Sequence, residues 1–257
     1  MSMPFYVAPE QVMKDRADYA RKGIARGRSL VALSNDQGIL ICAENPSRTL
    51  HKVAEIYDRI AFAGVGKFSE FDSLRTAGVR LADVKGFTYS REDVDARSLA
   101  NAYAQSLGQV FTHEMKPMEV EILVAEVGVD KATDQLFRIS YEGTIVDEDG
   151  STVLGGDADT VGERLRASLT DDLDLGGALR AAVSSLAGPE RVLEAANLEV
   201  AVLARTTARR AFRRILEAEL TPLLASSEPG AARSSTCPSA PRATTARSRA
   251  SGGTTAT

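Results

Sequence analysis

The sequence predicts an α+β protein built as a four-layer α/β/β/α sandwich of two stacked antiparallel sheets. Short apolar strands come in close succession, joined by polar turns of hairpin length. The helices come in separate blocks of two rather than alternating singly with strands, which argues against a doubly wound parallel sheet. Finally, a sheet covered by helices on one face and apolar on the other must stack on a further layer, and a second such sheet is what the chain supplies.

In chain order, Pro9 can occupy a first helical turn, and Val12, Arg16, Tyr19 and Ala20 recur at spacings of three and four, so a helix is expected over Pro9 to Arg21. Arg28 to Leu33 and Gly38 to Ala43 are strand-like around the turn Ser34-Asn35-Asp36-Gln37. Val53 to Ile56 and Ile60 to Ala63 flank Tyr57-Asp58-Arg59, and Gly64 and Gly66 permit a sharp exit into a helix from Lys67 to about Asp83. Asp95 is placed to cap the next helix, which runs to His113 with Leu99, Tyr103, Leu107 and Val110 in period.

The pattern then restarts. Glu119 to Val127, Leu136 to Tyr141, Thr144 to Val146 and Thr152 to Leu154 read as strands, the last two around the acidic turn Asp147-Glu148-Asp149-Gly150. Helices are expected over Asp159 to Leu169 and Asp172 to Leu186, stopped by Gly188-Pro189. Strands Leu198 to Leu203 and Ala211 to Ile215 and a short helix Leu216 to Leu224 close the body.

Composition narrows the function. The 257 residues, 44% hydrophobic, can bury one sizeable core. Of the net charge of -4, residues 225–257 hold +3 (Arg233, Arg242, Arg247 and Arg249 against Glu228), leaving the body at -7, which does not suggest a nucleic-acid partner. That Ser/Ala/Thr/Arg-rich tail has no periodic apolar positions and is expected to be disordered. Cys42 and Cys237 read as a small core hydrophobe and an idle thiol. No apolar run is long enough for a membrane span and the first residues do not look like a signal peptide, so a cytoplasmic protein without a membrane partner is expected. His51 and His113 have no nearby cysteine, the acidic turn lacks calcium-loop spacing, and no metal or cofactor is implied. Arg209, Arg210, Arg213 and Arg214 flank Phe212 and Ile215 and read as a charged strand edge.

Four ordered blocks are specific enough to name a family. SMPFYVAPEQVMKDRADYARKGIARG, AENPSRTLHKVAEIYDRIAFAGVGKFSEFDSLR, ANAYAQSLGQVFTHEMKPMEVEILVAEV and RRAFRRI are together similar to the α subunits of the 20S proteasome in their bacterial, actinobacterial-type form. The resemblance spans about Pro4 to Leu224. It implies the N-terminal nucleophile hydrolase fold and a noncatalytic subunit that forms seven-membered outer rings with itself, templates the β rings and gates entry. It further implies docking of a ring-shaped AAA ATPase, through that partner's C-terminal tails, that feeds tagged, unfolded proteins.

The resemblance also assigns residues. Catalytic β subunits begin at a threonine whose hydroxyl attacks and whose α-amine moves the proton. Here Gly27-Arg28-Ser29 puts an arginine at that place, with a helix ahead of it, so no catalytic residue is assigned. Glu44 and Lys52 fall where β subunits hold an acidic residue and a catalytic lysine; for Glu44 a strand-end carboxylate paired with a cation is the expectation. Lys52 matches the lysine that receives the activator's terminal carboxylate, a task suited to an exposed, flexible point charge. Gly27 and Lys67 match other positions of that pocket. Ser2, Met3, Pro4, Phe5, Tyr6, Val7 and Ala8 match the segment closing the axial pore, rooted by Pro9. The expected division is thus gate 1–8, sandwich 9–224 and tail 225–257. Met118 stands where relatives usually have tyrosine, and related tails tend to be acidic. The alternative from another class is an N-terminal nucleophile hydrolase activated by processing.

Overall fold

Side-chain alternation along the strands sets the layering. The computed structural model describes residues 8–170, 173–206 and 209–225; Met1 to Val7, which carry most of the expected gate, and the tail beyond Ala225 lie outside the described residues. Helix α1 (Pro9–Ala25) leads into β1 (Leu30–Asn35), β2 (Gly38–Glu44), β3 (Val53–Tyr57) and β4 (Ile60–Gly66). Helices α2 (Phe68–Thr88) and α3 (Ala96–His113) follow, then β5 (Val120–Glu126), β6 (Gln135–Ile139), β7 (Ile145–Asp147) and β8 (Ser151–Leu154). Helices α4 (Ala158–Ser168) and α5 (Leu175–Ala187), strands β9 (Leu198–Ala204) and β10 (Phe212–Ile215) and helix α6 (Glu217–Ala225) complete the order.

The strands form two five-stranded sheets, β10-β9-β2-β1-β8 and β3-β4-β5-β6-β7, with every pair antiparallel. Alternate residues of each strand enter different apolar layers, as the two-residue period of a strand requires. Leu30 and Ala32 of β1, Ile39, Ile41 and Ala43 of β2, Ala61, Ala63 and Val65 of β4, and Ala201 and Leu203 of β9 fill the layer between the sheets. The intervening residues of the first sheet, among them Val31, Leu40 and Val202, pack with Val161 and Leu165 of α4, Leu179 and Ala182 of α5 and Leu220 of α6. Those of the second, such as Phe62, Ile122 and Val124, pack with Phe71 and Leu74 of α2 and Leu99, Tyr103 and Leu107 of α3. The four-layer α/β/β/α sandwich expected from the element order is therefore present. Helix α1 lies outside these four layers and sends Ala20 and Ile24 into the layer between the sheets.

Local signals account for most boundaries. Asp95 caps α3, its Oδ1 accepting from the Ser98 amide at 2.7 Å. Asp174 does the same for the Gly177 amide at 2.7 Å, so α5 starts at Leu175 rather than near Asp172. Gly188 ends α5 in the left-handed region at φ +66°. Helix α1 runs four residues past Arg21 because Gly23 and Ile24 are buried. Helix α2 runs five residues past Asp83, and its final turns escape the apolar pattern because Val84 and Phe87 point to solvent.

The acidic turn lies between two strands as expected, and they belong to different sheets: β7 pairs with β6 and β8 pairs with β1, Leu30 opposite Leu154, so Glu148 to Gly150 carries the chain from one sheet to the other. Cys42 is buried in the core, and burial pushes its thiol up to about 12. No helix among the described residues is long and apolar enough to cross a membrane.

The alanines Ala32, Ala43, Ala61, Ala63, Ala125 and Ala201 let the sheets approach closely. Ala125→Leu, which adds volume where both sheets are already in contact, is expected to lower unfolding free energy by about 1–3 kcal/mol. Urea unfolding should show a lower midpoint at unchanged slope.

Candidate functional site

The three residues assigned by resemblance to one pocket are brought to one end of the sandwich by α1, β3 and β4. Gly27 follows α1, its amide bonded to the Ile24 carbonyl at 2.8 Å. A Cβ there would lie 2.8 Å from Val65 Cγ1 and 3.0 Å from the Gly66 nitrogen, so the chain can turn here against the end of β4 only as glycine. Gly66 itself has φ +112°, and a Cβ on it would collide with the Glu119 carbonyl. The next residue, Lys67, caps α2, and its amide donates to that same carbonyl at 2.9 Å.

Lys52 immediately precedes β3, and its carbonyl accepts from the Gly64 amide at 3.1 Å. Its ammonium does not extend into water. Nζ donates to the Arg28 carbonyl at 2.7 Å and the Glu44 carbonyl at 3.1 Å, and the residue is half-buried. The expectation of a freely exposed point charge is corrected here, because the carbonyls at the start of β1 and the end of β2 offer acceptors within reach. Burial pulls the ammonium down to about 8, against the carboxylates of Glu199 and Glu44, which hold it up; Arg28 adds to the fall.

Lys67 Nζ turns instead to Glu70 Oε1 at 3.2 Å. Burial works against the charge of Glu70, yet bonds from Lys116, the Glu119 amide and Lys67 together hold its carboxyl below the usual range. Of the expected gate residues only Ala8 and Pro9 are described: Ala8 is the cap of α1, its carbonyl taking the Gln11 and Val12 amides, and Pro9 starts the helix.

Beside these residues lies a cleft of about 580 Å³ lined by Gly27, Arg28, Ser29, Glu44, Arg164 and Arg191, among others. The buried Glu44 carboxylate pairs with the Arg28 guanidinium and with Arg191 Nη1 at 3.3 Å. The Lys52 ammonium and the Glu44 carboxylate are thus pointed apart: Lys52 touches only the main-chain oxygen of Glu44, while the carboxylate faces two arginines.

The family described as "Proteasome subunit" matches residues 24–203, more than half of the chain. The chain belongs to the proteasome subunit family. Its curated relatives include the proteasome α subunit of Acidimicrobium ferrooxidans, 59% identical over 232 residues that cover 90% of this chain and 100% of the relative. That of Sanguibacter keddieii is 58% identical over 231 residues, 88% and 91% of the two chains, and that of Thermomonospora curvata 56% over 227 residues, 88% and 99%. The resemblance to actinobacterial proteasome α subunits drawn from the sequence is borne out.

Two residues around this site escaped sequence reading. Arg191 lies in a loop with no periodic signal. Glu199 is the one charge in the apolar strand LEVAVLA, a pattern that marks a buried, partnered carboxylate; the loop groups it binds, however, lie about 150 residues away in sequence. Arg214 of the expected charged edge is a nearer partner, at 2.6 Å, while Arg209, Arg210 and Arg213 pair with Asp58, Glu55 and Glu219. Met118 packs against the layer between the second sheet and α2/α3.

Glu44→Ala should cost on the order of 1.5–3 kcal/mol, toward the lower end because Arg28 and Arg191 are 51% and 53% exposed. Thermal unfolding measures this loss. The Lys52 contacts should survive, since they use the Glu44 carbonyl.

Proposed function

We propose that this chain is a noncatalytic α subunit of the 20S proteasome core. It forms seven-membered outer rings with itself, templates the β rings, gates the axial pore and docks a ring-shaped AAA ATPase that delivers tagged, unfolded proteins. One observation carries the docking part of this reading: the Lys52 ammonium is fixed on the Arg28 and Glu44 carbonyls at the residue next to Gly27. An ammonium has three N–H donors, so with two held by the main chain the third is oriented for a carboxylate. A partner's C-terminal carboxylate supplies one, and neither acceptor needs to be displaced.

The noncatalytic part rests on residue chemistry. Arg28 stands at the head of the first strand, a guanidinium cannot serve as nucleophile, and Glu44 is engaged with arginines. The gate assignment rests on Ser2 to Ala8 leading directly into α1, whose rooted start would hold such a segment in place. The sandwich of residues 9–224 is the ring-forming body, and no cofactor or metal takes part.

Lys52→Ala is expected to remove stimulation of protein degradation by the ATPase in the assembled particle; stimulation equal to the unmodified particle's would refute the docking role. Carboxylate binding needs the ammonium form, which is lost as pH rises through about 8, so the stimulated component should decline across that pH. Deleting Ser2 to Ala8 should raise hydrolysis of short fluorogenic peptides by the assembled core, measured without ATPase.

A further inference from the structure

We propose that Glu199 is the positioning residue of the docking lysine: its carboxylate fixes the loop from Asn45 to Val53 that carries Lys52. The inference takes from the docking reading only the use to which Lys52 is put. The contacts themselves are independent of it. Oε2 of Glu199 accepts from Asn45 Nδ2 at 2.7 Å and from the Lys52 amide at 2.8 Å. Oε1 accepts from the Val53 amide at 3.2 Å and Arg214 Nη1 at 2.6 Å, with His51 Nδ1 at 3.3 Å. One carboxylate, 9% exposed on β9, therefore holds both ends of the loop that delivers Lys52. It also pins the main-chain nitrogens of Lys52 and of the residue after it.

This density of donors exceeds what an ion pair with Arg214 requires. A single Arg–Glu bridge would leave the loop from Pro46 to His51 to find its own conformation. Instead Asn45 joins the loop's two ends: its amide nitrogen bonds both Glu199 and the Leu50 carbonyl, and its Oδ1 accepts the Ser47 amide. The charges that face Lys52 are Glu199 from β9, Glu44 from β2 and Arg28 ahead of β1; Arg214 of β10 and His51 of the loop face Glu199 in turn. Burial and Arg28 favour the neutral amine, and among the opposing groups Glu199 contributes most. Replacing it by glutamine removes that charge and turns one acceptor into a donor among donors, so geometry and protonation fail together.

The test uses the full chain assembled with its β partner. Amines are labelled competitively with acetic anhydride across a pH series and the Lys52-containing peptide is quantified by mass spectrometry, with Lys67 as internal reference. The expected midpoint for Lys52 is about 8 in the unmodified chain. In Glu199→Gln it falls by about one pH unit, giving about fivefold more neutral amine at pH 7. Glu199→Asp, which keeps the charge but withdraws it by one methylene, gives a smaller shift in the same direction and decides the matter alone if the glutamine variant does not fold. An unshifted midpoint overturns the proposal. The pH limb of ATPase-stimulated degradation, recorded on the same variants, should move with the labelling midpoint. A midpoint that moves while the limb stays, with Lys52→Ala still stimulated, supports the positioning role of Glu199 and refutes docking through Lys52.

Discussion

The structure depends on one constraint: two sheets whose every strand carries apolar residues on both faces. Neither sheet can leave a face in water, so each takes helices on one side and the other sheet on its second side. Alanines interspersed with Leu, Ile and Val on the facing surfaces let the sheets meet, and Leu, Ile, Val and Phe residues on the outer surfaces meet the helices. What remains for chemistry is the open end of the sandwich, where strands begin and stop. There α1 closes the mouth with Ala20 and Ile24 and leaves Gly27, Arg28 and Lys52 at the rim.

At that rim, main-chain geometry and buried charge take over from apolar packing. The carbonyls of Arg28 and Glu44 hold an ammonium, the Glu44 side chain holds two guanidiniums, and Glu199 gathers the loop that connects the sheets. An arginine stands at the head of the first strand, and the lysine before β3 takes main-chain partners rather than a carboxylate.

Much of this was legible in the sequence because it is local. Strand alternation, the Asp95 cap, the Gly188 stop and the absence of a hydroxyl at Arg28 each follow from a few adjacent residues. What failed to show was partner choice at a distance. Nothing within the short acidic turn encodes that Ile145 to Asp147 and Ser151 to Leu154 belong to different sheets. The length of α2 was underread because its last turn exposes Val84 and Phe87, which break the pattern that a buried face would write. Lys52 looked like a free surface charge because its acceptors are main-chain atoms, whose positions no residue type announces. Glu199 escaped notice because the loop groups it holds come from residues 45–53, about 150 positions earlier in the chain.

The strand order of the first sheet also governs how the protein is made. Strands β3 to β7 are consecutive, so the second sheet and its helices can assemble as they leave the ribosome. In the first sheet β2 pairs with β9, Ile41 opposite Ala201, and on the order of 150 residues must be added after β2 before that partner exists. At about 5–20 residues per second this takes roughly ten to thirty seconds. Throughout that interval the apolar edge of β2 is an open template for pairing with other nascent chains. Residues 38–44 therefore reach their final pairing only near the end of synthesis.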